Sequence, residues 1–230
     1  MKKLVVLTGA GISADSGIPT FRGADGLWEG HDVTQVASPE GWEADPHLVL
    51  RFYNERRKKM HEVQPNPGHF AVADLEKHFN VVVITQNIDN LHERGGSSKI
   101  IHLHGELSKV RSTVDENLVY ELEGWELKWG DHCDKGSQLR PHIVWFGEMV
   151  PMMEVAVQEV QDADLVLVVG TSLVVYPAAS LLEYAPHSAS LFCVDPGISE
   201  SMFHRKVELI SEGAATGMPQ MRDLLVAKYA

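Results

Sequence analysis

The sequence predicts an α/β protein with a Rossmann-like, doubly wound parallel sheet and a small inserted second lobe. Short apolar runs rich in β-branched residues recur along the chain, as expected of strands buried on both faces of a parallel sheet. They cover residues 4–7, 81–85, 143–145, 165–169, 191–194 and 207–210. Stretches with helical character lie between them, over residues 46–61, 68–78, 153–163, 178–184 and 219–229. This alternation of strands and helices favours a sheet covered by helices on both faces.

Two regions depart from the alternation, and we interpret them as insertions that form the second lobe. Residues 20–65 are rich in tryptophan, histidine and charge, and residues 105–140 are polar. We therefore expect one domain over residues 1–230. Its large lobe consists of residues 1–20, 66–104 and 141–230, and its small lobe consists of residues 21–65 and 105–140.

Composition narrows the class of protein. The formal net charge of −12 disfavours nucleic acid as a partner, because the phosphate backbone is also negative. The first apolar run is shorter than the core of a signal peptide, and no apolar stretch approaches the roughly 18 residues of a membrane span. The two cysteines, Cys133 and Cys193, are far apart and imply no disulfide framework. We expect a cytoplasmic monomer that binds neither nucleic acid nor membranes.

A glycine-containing loop follows the first predicted strand directly. Its residues are Gly9, Ala10, Gly11, Ile12, Ser13 and Ala14. The glycines permit a tight turn and close approach of a ligand, and the helix start that follows offers free N–H groups to a pyrophosphate. Ala14 stands where a dinucleotide fingerprint has its third glycine, and no ribose-binding acid is evident after the second strand, which counts against an ordinary dehydrogenase. A plain strand–helix turn is the alternative interpretation.

Three further segments are expected near this loop. Phe21 and Arg22 follow glycine and proline in a stretch able to fold over a ligand, where the guanidinium would pair with a phosphate and the ring would cover a sugar. Residues 85–89 and 170–172 each follow a predicted strand. Because the carboxyl ends of parallel strands share one edge of a sheet, we expect all these segments at one ligand site.

Six motifs, taken in order, resemble those of the sirtuin family. They are Gly-Ala-Gly-Ile-Ser at 9–13, Gly-Ile-Pro-Thr-Phe-Arg at 17–22, Thr-Gln-Asn-Ile-Asp at 85–89, His-Leu-His-Gly at 102–105, Arg-Pro-His-Ile-Val-Trp-Phe-Gly-Glu at 140–148 and Gly-Thr-Ser at 170–172. The resemblance covers essentially the whole chain, and six motifs in register are far more specific than any one of them.

The resemblance implies a reaction that consumes NAD. The amide oxygen of an acylated lysine side chain attacks the ribose carbon of NAD, nicotinamide leaves, and an imidate forms. A histidine then acts as general base on a ribose hydroxyl, which attacks the imidate carbon. The products are free lysine, nicotinamide and O-acyl-ADP-ribose, so acylated lysine side chains of proteins are the expected partners.

By the same resemblance, His104 is the general base and Asn87 is the second catalytic residue, which orders a water. Histidine suits the first role because its ordinary pKa of about 6.5 lies near neutral pH. We expect His102, two residues earlier, to be a packed or solvated histidine that faces away from His104. For polar residues that follow a strand, such as Asn87 and Asp89, turn formation and helix capping are the alternative roles.

The resemblance also implies the cofactor and peptide sites. We expect NAD to be held by Gly9, Ala10, Gly11, Ile12, Ser13, Ala14, Phe21, Arg22, Gln86, Asn87, Ile88, Asp89, Gly170, Thr171, Ser172, Asp195 and Ala214. Asp195 stands where the family often has an asparagine that contacts the adenosine ribose, and a carboxylate can accept from the same hydroxyls. The peptide is expected to add as a strand between Val144, Trp145 and Phe146 on one side and residues 174–176 on the other. A core strand followed by a loop is the alternative for these segments.

Tyr53 and Arg56 predict the kind of acyl group. Residues three apart share one face of a helix, so both side chains can point into one pocket. Sirtuins that prefer succinyl or malonyl groups carry Tyr-x-x-Arg in this region, and a guanidinium with a phenol suits a carboxylate. Trp42 and Ala44 are expected in the pocket wall. The alternative is a solvated basic helix face, because five cations lie close together here. They are Arg51, Arg56, Arg57, Lys58 and Lys59.

The chain departs from the family where most members carry two Cys-x-x-Cys pairs that bind a structural zinc. The first pair corresponds to Ser112 and Asp115, and the second to His132 and Lys135, with Cys133 between them. Serine and lysine are poor zinc ligands, so we expect no structural zinc. We expect an apolar cluster to hold this lobe instead. Its members are Leu118, Val119, Tyr120, Leu122, Trp125, Leu127 and Trp129.

Three other functions are compatible with parts of the pattern. An NAD-dependent protein ADP-ribosyltransferase would use the same site, a non-catalytic NAD or ADP-ribose sensor would need no base, and a dehydrogenase would need only the glycine loop. His104 together with Tyr53 and Arg56 favours deacylation over ADP-ribosyl transfer. The combination of Asn87, Asp89 and His104 argues against a sensor.

Overall fold

The computed structural model describes residues 1–20, 27–28, 30–171 and 178–230. The strands are, in chain order, β1 (Lys3–Thr8), β2 (Leu27–Trp28), β3 (His31–Asp32), β4 (Asn80–Thr85), β5 (Ile100–His102), β6 (Gly105–Ser112), β7 (Val119–Glu121), β8 (Leu139–Ile143), β9 (Leu165–Val169), β10 (Ser190–Val194) and β11 (Val207–Ile210). The α-helices are α1 (Gly11–Ala14), α2 (Val33–Val36), α3 (Pro39–Ala44), α4 (Pro46–Glu62), α5 (Pro67–Asp74), α6 (Leu91–Gly95), α7 (Met153–Gln161) and α8 (Ala214–Tyr229). Short 3₁₀ helices cover Leu75–Lys77, Ala178–Tyr184 and Glu200–Met202.

Six of these strands form a parallel sheet in the order β5-β4-β1-β9-β10-β11. β1 lies between β4 and β9, with Thr8 opposite both Thr85 and Val169. The chain extends the sheet from β1 toward β5 first, and later from β9 toward β11. The loops that leave β1, β4 and β9 therefore meet where the strand order reverses, the usual place of a ligand site in such sheets. The predicted fold class is confirmed.

Helices cover both faces of the sheet. Successive residues of a strand point to opposite sides, so strands that are apolar throughout present apolar side chains to both layers of helices. On one face, Val5 and Val166 pack with residues of α7 and of the 3₁₀ helix Ala178–Tyr184. On the other face, Leu4 and Val83 pack with residues of α5 and α8. These two layers form the core of the large lobe.

The second lobe combines α2, α3 and α4 with an antiparallel sheet in the order β7-β6-β8. The strand predicted at residues 143–145 instead lies at Leu139–Ile143, so the small sheet runs past the boundary expected at residue 140. The apolar runs do not predict β6, because its buried residues alternate with half-exposed polar ones. Within the described ranges, each helix falls short of the length and apolar character needed to cross a membrane.

A buried arginine fastens α4 to the small lobe. Arg57 is 0% exposed. Its guanidinium donates to the carbonyl oxygens of Leu107 (2.5 Å) and Trp125 (2.8 Å) and to Asn54 Oδ1 (2.8 Å). The Asn54 side chain in turn donates to the Leu127 carbonyl and accepts from the Leu127 N–H, both at 2.9 Å. Asn54 and Arg57 together brace the segment between β7 and β8, and we call this pair the brace.

The apolar cluster expected to hold the small lobe is formed only in part. Leu127 is buried with Leu50 and Val110. Trp125 and Trp129, in contrast, are 40% and 55% exposed. Trp125 is held instead through its backbone, because its carbonyl oxygen accepts a hydrogen bond from Arg57 of the brace.

Candidate active site

The loop after β1 rests directly on the loop after β9. Gly9 N donates to Val169 O (3.1 Å), and Gly11 N donates to Gly170 O (2.8 Å). A Cβ atom at Gly9 would lie 2.6 Å from the Cβ of Thr171, and one at Gly11 would lie 2.6 Å from the Cα of Gly170. Neither position accepts a side chain, so close packing of the two loops by itself requires these glycines.

The helix start after this loop is mostly satisfied by the protein itself. α1 has only four residues. Ile12 N and Ser13 N bond to Gly9 O and Ala10 O, each at 3.1 Å, while Gly9 N and Gly11 N are bonded as described above. The expectation of free N–H groups is wrong at these four positions, because the loop closes on itself and on β9. Ala14, the last residue of α1, is exposed.

Three buried polar side chains meet under this edge of the sheet. Ser13 Oγ donates to Asp89 Oδ2 (3.0 Å) and accepts from Asn87 Nδ2 (3.2 Å). Asp89 Oδ1 accepts from the Leu91 N–H two residues later (3.0 Å), so Asp89 also has the turn-forming role that was one alternative for it. Burial raises the pKa of Asp89, and the hydrogen bonds from Leu91 and Ser13 oppose that rise. Polar contacts are strong in such desolvated surroundings.

His104 lies half-buried in the turn between β5 and β6. Its Nδ1 is 3.1 Å from the carbonyl oxygen of Gln86. A carbonyl oxygen only accepts, so in the neutral ring Nδ1 carries the proton and Nε2 carries the lone pair. Burial lowers the pKa of His104 below the ordinary histidine value, although the Gln86 carbonyl opposes the shift. The ring is therefore neutral at neutral pH, which is the form that a general base requires.

His102 does not face away from His104. Its Nδ1 is 2.9 Å from the Asn87 carbonyl, the next one along the loop after Gln86, and its Nε2 is 2.7 Å from Glu93 Oε1. The expectation of opposite directions is wrong, because residues two apart in an extended segment share a face. His102 is packed, as predicted, but it is packed on the loop that His104 also contacts.

Further residues of the expected cofactor site lie at the same edge. Gln86 Nε2 donates to Thr171 Oγ1 (3.0 Å), which joins the loops after β4 and β9. Ile88 is partly buried against the core of the small lobe. The segments after strands thus gather as predicted. Phe21, Arg22 and Ser172 lie outside the described residues.

Asp195 and Ala214 follow β10 and β11. Asp195 Oδ1 accepts from the Gly197 N–H (2.7 Å), a contact typical of a turn, and Oδ2 is not part of that bond. Ala214 begins α8, and its side chain is 3% exposed within the core. Asp195 can therefore still offer an oxygen to a ligand, whereas Ala214 offers little beyond its backbone.

The segment expected to contact a peptide leaves β8 beside His104. Val144 N donates to His104 O, and Phe146 N donates to Ala37 O, each at 2.9 Å. Trp145 is 2% exposed, whereas Phe146 is 47% exposed. Trp145 therefore belongs to the core, as in the alternative interpretation, and Phe146 and the half-buried Val144 present surface. Residues 174–176 lie outside the described ranges.

A carboxylate that the sequence did not single out fixes this segment. Glu148 Oε2 accepts from Trp145 N (2.8 Å), and Arg140 Nη1 donates to Glu148 Oε1 (2.6 Å). The Arg140 guanidinium also lies 3.2 Å from the centroid of the Trp145 ring. Burial alone would raise the pKa of Glu148, but the bonds from Arg140 and Trp145 lower it, so this carboxylate stays charged. Both residues stand inside one predicted motif, and only the fold shows that they pair.

α4 places Tyr53 and Arg56 close to this segment. Tyr53 is 0% exposed, and its hydroxyl accepts from Trp145 Nε1 at 3.1 Å. Arg56 Nη1 donates to the Phe52 carbonyl (2.8 Å), and the guanidinium lies over the Phe52 ring. Burial raises the pKa of Tyr53, and the charge of nearby Arg56 opposes part of that rise. The two side chains lie near each other and are buried, so they do not belong to a solvated basic face.

The positions that correspond to zinc cysteines are engaged in other bonds. Lys135 Nζ pairs with Asp115 Oδ2 at 2.7 Å. Cys133 Sγ contacts Ser112 Oγ (3.3 Å) and Ser137 Oγ (3.1 Å). An ammonium group therefore neutralises the carboxylate, and one thiol with two hydroxyls does not make the tetrahedral donor set that zinc prefers.

We expect the purified protein to need no zinc for stability. A chelator should change Tm by less than about 1 °C, because these contacts need no metal. The measurement is thermal unfolding with and without EDTA, together with elemental analysis. The variant with Ser112→Cys, Asp115→Cys, His132→Cys and Lys135→Cys restores both cysteine pairs and is the positive control. One tightly held zinc per chain in the unmodified protein would contradict this expectation.

The fold and site define a class of protein: a doubly wound α/β chain with a neutral histidine and a buried carboxylate at the carboxyl edge of its sheet. The profile of the Sir2 family matches residues 9–177. The chain belongs to the Sir2 family.

Curated relatives and solved structures agree with this assignment. An NAD-dependent protein deacylase of Bacteroides thetaiotaomicron is 54% identical over 98% of this chain and 99% of its own length. One of Helicobacter pylori is 54% identical over 98% of each chain. A Sir2 homologue solved with NAD has a TM-score of 0.89 and 41% identity, covering 100% of this chain and 91% of its own. A Sir2 variant solved with ADP-ribose has a TM-score of 0.88 and 42% identity, over 96% and 91%.

Proposed function

We propose that this chain is an NAD-dependent protein lysine deacylase that removes succinyl, malonyl and acetyl groups and yields nicotinamide and O-acyl-ADP-ribose. Family membership and relatives named NAD-dependent protein deacylase support the reaction class. The observation that carries the proposal is the neutral His104, whose tautomer is set by the Gln86 carbonyl at 3.1 Å. Its Nε2 lone pair is the base that the reaction needs.

The polar residues at this edge fit NAD as co-substrate. Ribose hydroxyls and a carboxamide need both acceptors and donors, and Asp89 and Asn87 supply a carboxylate and an amide joined through Ser13. When bound, NAD would supply a ribose carbon with nicotinamide as a good leaving group, which an acyl-lysine oxygen can displace. Solved relatives hold NAD, ADP-ribose, or a deacetylated p53 peptide with 3′-O-acetyl-ADP-ribose, which supports the same site here.

His104 then moves one proton. Its Nε2 accepts the proton of a ribose hydroxyl, so that this oxygen can add to the acyl carbon. The ring becomes positively charged in that step, and the Nδ1–H bond to the Gln86 carbonyl becomes charge-assisted and stronger. The carbonyl therefore stabilises the charged form as it develops, while burial keeps the resting ring neutral. Asn87 orders a water in the same site.

Tyr53 and Arg56 support a preference for acidic acyl groups. The Tyr53 hydroxyl accepts from Trp145 and still has its own proton to donate. Together with the guanidinium of Arg56 it suits the terminal carboxylate of a succinyl or malonyl group. Trp42 lies 5.8 Å from Trp145, ring centre to ring centre, and extends the apolar wall. Ala44, also expected in this wall, is exposed to solvent.

The decisive experiment incubates the protein with NAD and with succinyl-, malonyl- or acetyl-lysine peptides. Nicotinamide and O-acyl-ADP-ribose are then measured by mass spectrometry. Peptide-dependent formation of both products supports the proposal. Transfer of ADP-ribose to protein would indicate a transferase, binding of NAD without turnover would indicate a sensor, and absorbance of reduced cofactor would indicate a dehydrogenase. Each of these three outcomes overturns the proposal.

Arg56→Met should lower kcat/KM for a succinyl-lysine peptide by about 10–150-fold, while the value for the acetyl-lysine peptide changes much less. The physical reason is the loss of a charge-assisted hydrogen bond, which is worth about 1.5–3 kcal/mol when buried. Both substrates are measured on one preparation, so the ratio is insensitive to the fraction of folded protein.

Arg51→Met is the matched control, because Arg51 is an exposed arginine on the same helix. It should leave the ratio of the two kcat/KM values unchanged. Equal losses for both peptides in Arg56→Met would sink the specificity assignment and leave deacylation itself standing.

A further inference from the structure

Two histidines on one short segment hold adjacent carbonyl groups of the loop after β4. His104 Nδ1 contacts the Gln86 carbonyl (3.1 Å), and His102 Nδ1 contacts the Asn87 carbonyl (2.9 Å). Between them, Leu103 N donates to Thr85 O (2.9 Å). Three consecutive carbonyls, at the end of β4 and in the loop after it, are thus bonded to three consecutive residues of the segment that carries the base.

The partners of His102 require both of its nitrogens to carry protons. The Asn87 carbonyl oxygen only accepts, so Nδ1 donates to it. Glu93 Oε1, 2.7 Å from Nε2, belongs to a carboxylate that also only accepts. A ring that donates from both nitrogens is an imidazolium. His104 has one such partner, and this difference gives the two histidines different charges.

We infer that His102, as an imidazolium held by Glu93, is a positioning residue that fixes the Asn87 loop for the proposed reaction. This inference rests on the proposed function, because it assigns His102 to the site in which His104 acts. His102 contacts neither substrate nor cofactor in this assignment. It acts through Asn87, whose side chain bonds to Ser13 and so sets the cluster that also contains Asp89.

The surroundings of His102 support this charge state. Burial alone would lower the pKa of His102, but the hydrogen bond and charge of Glu93 raise it above the ordinary value. Glu106 on β6 also faces the ring and has the same effect, while Lys109 pairs with Glu106 at 2.8 Å. The charge of His102 in turn favours the ionised form of Asp89 and disfavours protonation of His92 on α6.

These opposite shifts predict a bell-shaped dependence of kcat/KM on pH. Protonation of His104 removes the base, which gives an acid limb below pH 6.5 because its pKa is lowered. Deprotonation of His102 removes one of its two donors, which gives an alkaline limb above pH 6.5 because its pKa is raised. In the neutral ring the remaining proton stays on Nε2, facing the charged Glu93 carboxylate, so Nδ1 no longer donates to the Asn87 carbonyl. This positioning bond is therefore present at low pH and is lost as the pH rises through the raised pKa of His102.

Substitutions at His102 separate positioning from packing. His102→Leu should lower kcat by about 10–100-fold, as expected when a catalytic group is misplaced. In His102→Asn the amide Nδ2 stands near the position of Nδ1 and can still donate to the Asn87 carbonyl. This variant should recover most of kcat and should lose the alkaline limb while it keeps the acid limb. A purely structural role would not change the shape of the pH profile.

Glu93→Gln tests the same bond from its exposed end, where loss of folding is not expected. It should move the alkaline limb toward lower pH, because the neutral amide no longer stabilises the imidazolium. Glu159→Gln is the matched control: this carboxylate pairs with Lys99 just before β5, and its loss should leave both limbs in place. An alkaline limb unchanged in both His102→Asn and Glu93→Gln, or an unchanged kcat in His102→Leu, would overturn the inference.

NMR titration of the histidine side chains gives a readout that does not depend on turnover. The His102 ring should carry two protons at pH 6.5, and the Asn87 carbonyl carbon should shift as His102 titrates. A neutral His102 at that pH, or an Asn87 signal indifferent to its titration, overturns the inference whether or not the protein deacylates peptides. Absence of deacylation in the unmodified protein, with the NMR result as expected, overturns the proposed function and leaves the charge of His102 and its hold on the Asn87 loop standing.

Discussion

His104→Ala should lower kcat for deacylation by about 10²–10⁴-fold, the range that a positioned general base contributes. The Kd for NAD should stay within about threefold, because the ring is assigned to proton transfer and its hydrogen-bond partner among the described residues is the Gln86 carbonyl. Single-turnover kinetics measure the first quantity, and calorimetric titration with NAD measures the second. A large loss of NAD affinity with little change in kcat would assign His104 to binding instead.

The pH profile of the unmodified protein adds an independent check of His104. Its active form is the neutral ring, and burial lowers its pKa. Activity should therefore persist as the pH falls to the ordinary histidine value of about 6.5 and should be lost only below it. An acid limb above that value would contradict the assignment. His78→Ala removes an exposed histidine and should leave kcat within about twofold.

Arg57→Met should lower the free energy of unfolding by about 3 kcal/mol and Tm by roughly 6–12 °C. The guanidinium donates to two backbone carbonyls and to Asn54 at 2.5–2.8 Å. Methionine removes the donor from both carbonyls and one of the two donors to Asn54 Oδ1, which keeps the Leu127 N–H. Chemical denaturation and differential scanning calorimetry measure the two quantities. The mechanism is loss of buried hydrogen bonds, which outweighs the gain from burying an apolar side chain.

The control for Arg57→Met is Arg51→Met on the same helix. Arg51 is exposed, so its replacement should change the free energy of unfolding by no more than about 0.5 kcal/mol. Similar losses in the two variants would mean that the brace does not hold the small lobe.

The large lobe could be predicted from the sequence because each of its central strands is a continuous apolar run. A strand buried on both faces is apolar throughout, as at β9 with five fully buried residues. β6 has one solvated face, so its sequence is polar and matches a loop as well as a strand. The helix α8 begins at Ala214, before the predicted residue 219, and carries Pro219 inside it. Proline is favoured at the first turn of a helix, so the sequence indicates a start at Pro219.

The central part of the site could also be predicted, because parallel strands bring their ends together. Ser13, Asn87 and Asp89 follow β1 and β4, and they contact one another as that geometry requires. The pairing of Arg140 with Glu148 and the enclosure of Arg57 could not be predicted. The first depends on how the chain turns between two residues of one motif. The second depends on which backbone groups, distant in sequence, come to lie beside the guanidinium, and local sequence does not specify these.

The brace and the proposed acyl pocket occupy one turn of α4 as two interleaved pairs. Tyr53 bonds to Trp145 and, with Arg56, forms the pair proposed to receive the acyl group, while Asn54 and Arg57, one position later, bond to the small lobe. Point substitutions at Tyr53 and Arg56 can therefore change the acyl preference during evolution and leave the brace, Asn54 and Arg57, intact. A deletion or insertion of one residue just before this turn would move one pair into the place of the other and turn the second pair away from both, which would damage specificity and folding together. New acyl specificities in chains with this brace should thus arise by substitution within a helix of fixed register.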